Sequence, residues 1–297
     1  MKIDRKTLKG DARLALRRQT GQSPLLVTVL YLLLTGGSTL ALGLVSESPV
    51  TRLMQLLQQR VAPERALALT VAAVGTVGLF VNILLFIVRL VTDIGYASWG
   101  LRVSRGEKTG AAALLDGFGM VGRVLLLNAA VAVLSLCWYV IIFMPLISLA
   151  VFLPGGGLIP VLIVVGLVLF GLCVLRYAMA EFCLLDEPEK GVFFALRASR
   201  RLMRGRTVEY GVLLVSFIGW FLLGSAAAWV AESAAIVALG GVRVVLNGDV
   251  QQILQLTAHP AVAAAAALAG GLVSLWVQPY VTVTQAGYYD RLRGQQA

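Results

Sequence analysis

The 297-residue chain is 59% hydrophobic and only 13% charged, with a mean hydropathy of +0.86. Soluble domains carry about 25% charged residues, so this composition excludes one and makes hydrocarbon the solvent for most of the chain. The formal charge of +10 is not gathered into a compact basic module interleaved with aromatics, which assigns it to leaflet contacts and orientation and leaves no nucleic-acid partner.

Residues 1–22 carry Lys2, Arg5, Lys6, Lys9, Arg13, Arg17 and Arg18. On a helical wheel most of these form one stripe beside Leu8, Ala12, Ala15 and Leu16, the pattern of an amphipathic interfacial helix over 2–18. The apolar run from Ser23 to Val45 is too long for the core of a secretory signal and fits a first, uncleaved span. Pro49 and Pro63 then bracket Val50, Leu53, Met54, Leu57 and Val61 at helical spacing, predicting a short helix on the outer surface. A second span over 68–91 contains Asn82 near its middle and Arg89 near its inner end, with Asp93 one turn on as an i, i+4 partner.

A less basic in-plane segment is expected over 109–123, followed by a third span over 124–144 and a chargeless connection containing Gly155, Gly156 and Gly157. The connection lacks the lysine and helix start that a phosphate-cradling loop needs. A fourth span over 158–177 leads to Glu181, which has Arg176 and the arginines of the next helix as candidate partners, and to Asp186, Glu187 and Glu189, read as a solvated loop.

The next stretch is the most distinctive. Over 191–204 the residues Arg197, Arg200, Arg201 and Arg204 fall within an arc of about 100°, while Phe194, Ala195, Ala198, Leu202 and Met203 fill much of the other side. Such a helix is expected to lie in the interface, with its apolar face in the acyl boundary and its arginines on anionic headgroups, each worth on the order of 1 kcal/mol. Gly205 permits a turn into a fifth span over 208–230. An outer segment follows, and the sixth span covers 261–283, opening with small residues that favour close helix approach. Pro279 removes a backbone donor near its inner end, where Trp276 and Tyr280 favour the headgroup level.

Twenty of the 25 Lys and Arg fall on one side of these spans and four on the other, with Arg89 inside a span. The bias predicts that both termini lie in the cytoplasm. The fold class expected is therefore all-α integral membrane: six transmembrane helices with cytoplasmic amphipathic helices, in one polytopic domain. The alternation of basic inner segments and two-span hairpins also suggests three repeated helical hairpins, roughly 1–108, 109–190 and 191–297.

Cys137, Cys173 and Cys183 lie in or beside apolar segments and His259 stands alone, so no disulfide framework, metal site or cofactor is expected. No nucleophile, paired acid or metal cluster points to an enzyme. The residues expected to form a lipid or partner interface are Arg197, Arg200, Arg201, Arg204, Arg89, Glu181, Pro279 and Tyr280. The function expected is a non-enzymatic scaffold or regulator that contacts anionic headgroups and membrane protein partners. The alternative is a transporter or an accessory subunit of one, with Asn82 and broken helices lining a path.

Three strings carry a resemblance: MKIDRKTLKGDARLAL at the start, ALRASRRLMRGRTVEYGVLLVSFIGW over 195–220, and LWVQPYVTVTQAGYYDRL over 275–292. Together they resemble the bacterial multi-pass membrane family known as domain of unknown function 975. The resemblance implies an integral membrane protein with an unassigned role and no catalytic residue. One departure is that the connection between the last two spans looks longer than the family's short turn.

Overall fold

The computed structural model describes residues 4–19, 22–37, 64–152, 159–241, 256–257 and 259–295. Every regular element among them is helical. In order these are α1 (Arg5–Arg18), α2 (Pro24–Gly37), α3 (Glu64–Ser104), a 3-10 helix over Ala111–Met120, α4 (Val121–Phe152) and α5 (Ile159–Val174). A 3-10 turn over Leu175–Tyr177 leads to α6 (Ala180–Asp186), and another over Pro188–Lys190 to α7 (Val192–Leu202). The chain continues through α8 (Thr207–Val215), α9 (Ile218–Ala238) and α10 (Pro260–Gly294).

Five stretches are long and apolar enough to cross a membrane: Phe80–Ser104, Ala111–Leu149, Ile159–Asp186, Thr207–Ala238 and Pro260–Gly294. They correspond to the second through sixth predicted spans. The predicted first span begins as α2, a shorter apolar helix; its continuation over 38–45 lies outside the described residues. So do the outer helix expected up to residue 63 and much of the connections around 153–158 and 242–255.

The described chain divides into two compact units, and α3, α9 and α10 each contribute to both. The first unit takes in residues up to 21, Ile94–Ile218 and the chain from Tyr280 onward. Its fully buried side chains include Trp99, Tyr288, Phe217, Ile94, Met179 and Leu184. Aromatic pairs knit this core, with Phe182 on Tyr289 at 5.5 Å and Tyr210 on Tyr288 at 5.2 Å between ring centroids.

The segment expected to lie in-plane over 109–123 is a 3-10 helix over Ala111–Met120 that runs straight into α4. Its three-residue repeat sets Leu114 directly in line with Gly117 on one buried face, where an α-helix would turn the pair about 60° out of line. Gly95, Ser98 and Arg102 form the facing stripe of α3. A Cβ on Gly95 would stand 2.2 Å from the Leu114 carbonyl oxygen, and Asp116 accepts from Ser98 at 2.9 Å and from Arg102 at 2.6 Å. α4 and α5 form an antiparallel hairpin: Phe143 meets both Phe170 and the backbone at Gly166, while Tyr139, one turn earlier, meets Phe170 edge-on.

α1 departs in part from the interfacial role expected of it. Leu8 and Ala12 are buried, and two members of the basic stripe turn to aromatic rings of the same unit. The Lys9 ammonium lies 4.2 Å from the Phe217 centroid and donates to the Ser216 carbonyl at 3.4 Å. The Arg13 guanidinium lies 5.1 Å from the Tyr280 ring. A cation over a ring face gains about 0.5–2 kcal/mol, which competes well with roughly 1 kcal/mol at a headgroup. Burial, and then the charges of Arg13 and Arg5, hold the Lys9 amine below the usual lysine range.

The second unit comprises Gln22–Asp93 and Gly219–Pro279. Here the expected i, i+4 pair is present, with Arg89 4.0 Å from Asp93, and Tyr31 donates to the same carboxylate at 2.8 Å. α9 and α10 approach closely and antiparallel, since a Cβ on Gly224 would meet Val273 at 3.6 Å and one on Gly270 would meet Ala228 at 3.3 Å. The close contact thus falls just after the alanine run that predicted it.

Candidate functional site

α7 begins at Gly191 with φ of +79° and is released at Gly205 with φ of +75°, backbone conformations that a residue without Cβ adopts at little cost. Between them Val192, Ala195, Leu196, Ser199 and Leu202 form a buried face. Ser199 lies at its centre, fully buried. Its hydroxyl donates to the Arg176 carbonyl at 2.9 Å and accepts from the Met179 amide at 3.2 Å. That double bond ties α7 to the 3-10 turn after α5 and brings Arg176 beside the arginine stripe.

The result is an open cleft of about 540 Å³ lined by Arg176, Arg197, Arg200, Arg201, Arg204 and Thr207, together with Met203 and Gly205. All five arginines are exposed. Among the described residues none of them has a carboxylate within 4.0 Å; their recorded partners are neutral. Arg176 lies 6.0 Å from the Trp138 ring and Arg197 donates to the Phe193 carbonyl at 3.2 Å.

The helix dipole accounts for part of this cluster. Arg200 and Arg201 occupy the last turn of α7, where a cation gains about 0.3–1 kcal/mol from the orphan carbonyls. Arg197 has no such gain and faces Arg200 and Arg201 at i+3 and i+4, a spacing at which like charges cost about 0.2–0.5 kcal/mol per pair. Arg176 comes from a different element altogether. Across the cleft α8 starts at Thr207 with no side-chain cap, so its first amides carry the positive end of a second dipole. Guanidinium forks converging beside the start of a helix are suited to a phosphate or carboxylate.

The apolar side of α7 corrects one expectation. Ala195, Leu202 and Met203 are 0%, 7% and 0% exposed, so this side packs into the protein and does not enter an acyl layer. Phe193, 64% exposed, and the arginines are the surfaces left free. Beside the cleft a second groove of about 690 Å³ runs between α4 and α7, lined by Leu126, Ala130, Val133 and Phe193 and closed by Arg197 and Arg200.

Asp186 corrects another. Expected in a solvated loop, its side chain is only 7% exposed and joins three helix ends. Arg105, just past α3, grips it bidentately at 2.8 and 3.0 Å, and from α10 Tyr289 donates at 2.9 Å while Arg293 forms a further ion pair. Arg105 also reaches Asp290 at 2.8 Å. The hydrogen bond to Asp186 outweighs burial and holds the guanidinium well above its usual value, so Arg105 stays charged.

Of the residues expected at the interface, Arg197, Arg200, Arg201 and Arg204 converge on the cleft. Glu181 does not line it: the first turn of α6 places this carboxylate near the buried Tyr210. Tyr280 does not line it either: the side chain is half-buried, edge-on to Phe217 at 5.3 Å. Arg89 and Pro279 belong to the second unit, where Arg89 is committed to Asp93 and Pro279 lies buried inside α10. Sequence reading did not count Arg176 and Thr207 in the site. The run from Arg176 to Thr207 contains them all, but only the Ser199 bridge shows that they meet.

A family model described as a protein of unknown function, DUF975, matches residues 1–296, and the chain belongs to that family. No curated protein and no solved structure matches it.

Proposed function

We propose that this member of the DUF975 family is a non-enzymatic scaffold or regulator of a bacterial cytoplasmic membrane, acting through anionic headgroups and membrane protein partners. In this reading the chain crosses six times, α2 completing its span beyond Gly37, with both termini and the arginine cleft on the cytoplasmic side. The three-hairpin repeat is part of the same topology. What supports it is the cleft: five exposed arginines without a carboxylate partner among the described residues, with Arg176 inside one candidate span, Ile159–Asp186, and Thr207 at the start of another, Thr207–Ala238. Basic pockets between spans on that leaflet suit phosphate-bearing lipid heads.

The full chain, reconstituted in nanodiscs of mixed phosphatidylglycerol and phosphatidylcholine, provides the test. Lipids retained around the protein are quantified by mass spectrometry. Enrichment of phosphatidylglycerol is expected, and it should fall toward the bulk ratio when Arg197, Arg200, Arg201 and Arg204 are all changed to Gln. Equal enrichment in the two proteins removes the proposal.

One cluster favours the alternative of a transporter or accessory subunit. Arg89 and Asp93 place an ionisable pair within one candidate span, and Tyr31 of the shorter helix α2 donates its hydroxyl to that carboxylate, a common feature of ion pathways. Solute flux lost on Asp93→Asn, with lipid enrichment unchanged, would favour transport.

A further inference from the structure

The arginine cleft and the apolar groove are separate depressions that share two walls, Arg197 and Arg200. One side of those guanidiniums faces the cleft, with Arg176, Arg201, Arg204 and Thr207. The other faces Leu126, Ala130 and Val133 on α4 and Phe193 on α7. This is a surface with an anionic requirement at one end and a hydrocarbon requirement at the other, with Arg197 and Arg200 common to both. Phe193 is exposed although apolar, and it stands one turn before Arg197, whose guanidinium is anchored to its carbonyl.

We propose that cleft and groove are one site, occupied by a single anionic glycerophospholipid with its phosphate among the arginines and one acyl chain laid between α4 and α7. The inference rests on the headgroup reading above and goes further, because simple leaflet attraction needs no groove. Charge complementarity selects the occupant: a neutral apolar segment would leave the arginines unanswered, and a soluble phosphate would leave the groove empty. Inside a bilayer the acyl chain exchanges one hydrocarbon setting for another, so it gains little free energy by burial. Its role is to fix the depth and direction of the headgroup. The arginines supply affinity, each worth roughly a five-fold change near an anionic lipid.

The full chain in neutral detergent, delipidated and titrated with phosphatidylglycerol, is examined by native mass spectrometry. One tightly retained lipid per chain is expected, in preference to phosphatidylcholine. Arg197→Gln with Arg200→Gln should weaken retention roughly thirty-fold. Ala129→Trp fills the groove from an exposed position without touching a charge, and should reduce retention even though the nanodisc enrichment by the arginines persists. Val133→Trp, also exposed, should do the same and guards against misfolding of the first variant. Inorganic phosphate in excess should not displace the lipid. Full retention in both tryptophan variants, or complete displacement by phosphate, overturns the groove while leaving headgroup attraction standing. Loss of the nanodisc enrichment itself overturns the earlier reading instead.

Discussion

Asp186 receives two donors from Arg105, one from Tyr289 and one from Arg293, while Glu187 beside it takes Arg293 at 3.0 Å and Lys190 at 2.8 Å. Its partners lie 81 to 107 residues away in the chain, which is why the sequence around it reads as a polar loop. The Arg89–Asp93 pair was legible because both residues sit on one helix face. Asp186→Asn keeps the volume but cannot answer two guanidiniums. Arg105 retains Asp290 and Arg293 retains Glu187, so the expected cost is about 2 kcal/mol, that of losing charged hydrogen bonds and less than that of stranding a buried ion. Thermal unfolding in detergent should show it, with a smaller shift for Asp290→Asn, whose carboxylate is 29% exposed against 7%. Equal shifts would mean that Asp186 is no hub. Gly95→Ala tests steric closeness, because the new methyl would meet backbone and not a flexible side chain. Overpacking of this kind costs about 1–3 kcal/mol, again read as a lower melting temperature, and an unchanged melt would show that the 3-10 helix yields.

α7 shows what periodicity reveals and where it stops. The arginine arc and the apolar arc were both visible in the sequence, as was the turn at Gly205. The medium facing the apolar arc was not, because a hydrophobic stripe has the same pattern whether hydrocarbon or protein covers it. α1 was ambiguous for the same reason, and Lys9 and Arg13 turn toward Phe217 and Tyr280. What decides for α7 is Ser199, a polar residue in the middle of the buried face with both of its hydrogen bonds made to another element. Ser199→Ala strands a buried amide and carbonyl, at a cost of about 1–3 kcal/mol, and releases Arg176 from the stripe. Lower stability together with weaker phosphatidylglycerol retention is the expected pair of results. Lower stability with full retention would show that Arg176 adds nothing to the cleft.

At the scale of the molecule, hydropathy made five helices long and apolar enough to cross a membrane readable, because nothing except hydrocarbon or a large core calls for such long apolar runs. The two-unit division was not readable, since α3, α9 and α10 pass between units without any break in composition. Sidedness follows from parity. If α2 completes a span, the number of crossings is even and both ends share a side; if it does not, five crossings put them on opposite sides. Single cysteines at Lys6, Glu107, Glu189, His259 and Gln295, in a chain with Cys137, Cys173 and Cys183 replaced by Ser, can be probed in intact cells with a membrane-impermeant thiol reagent. Six crossings predict that only the position at 259 is labelled before lysis. Labelling at 6 together with 259, and not at 107, 189 or 295, would instead leave five crossings and place α2 outside the crossing set. The arginine cleft lies near Glu189 in the chain, so the reaction at that position also decides which leaflet can supply its lipid. Labelling of Glu189→Cys from outside would remove the cytoplasmic leaflet as the source.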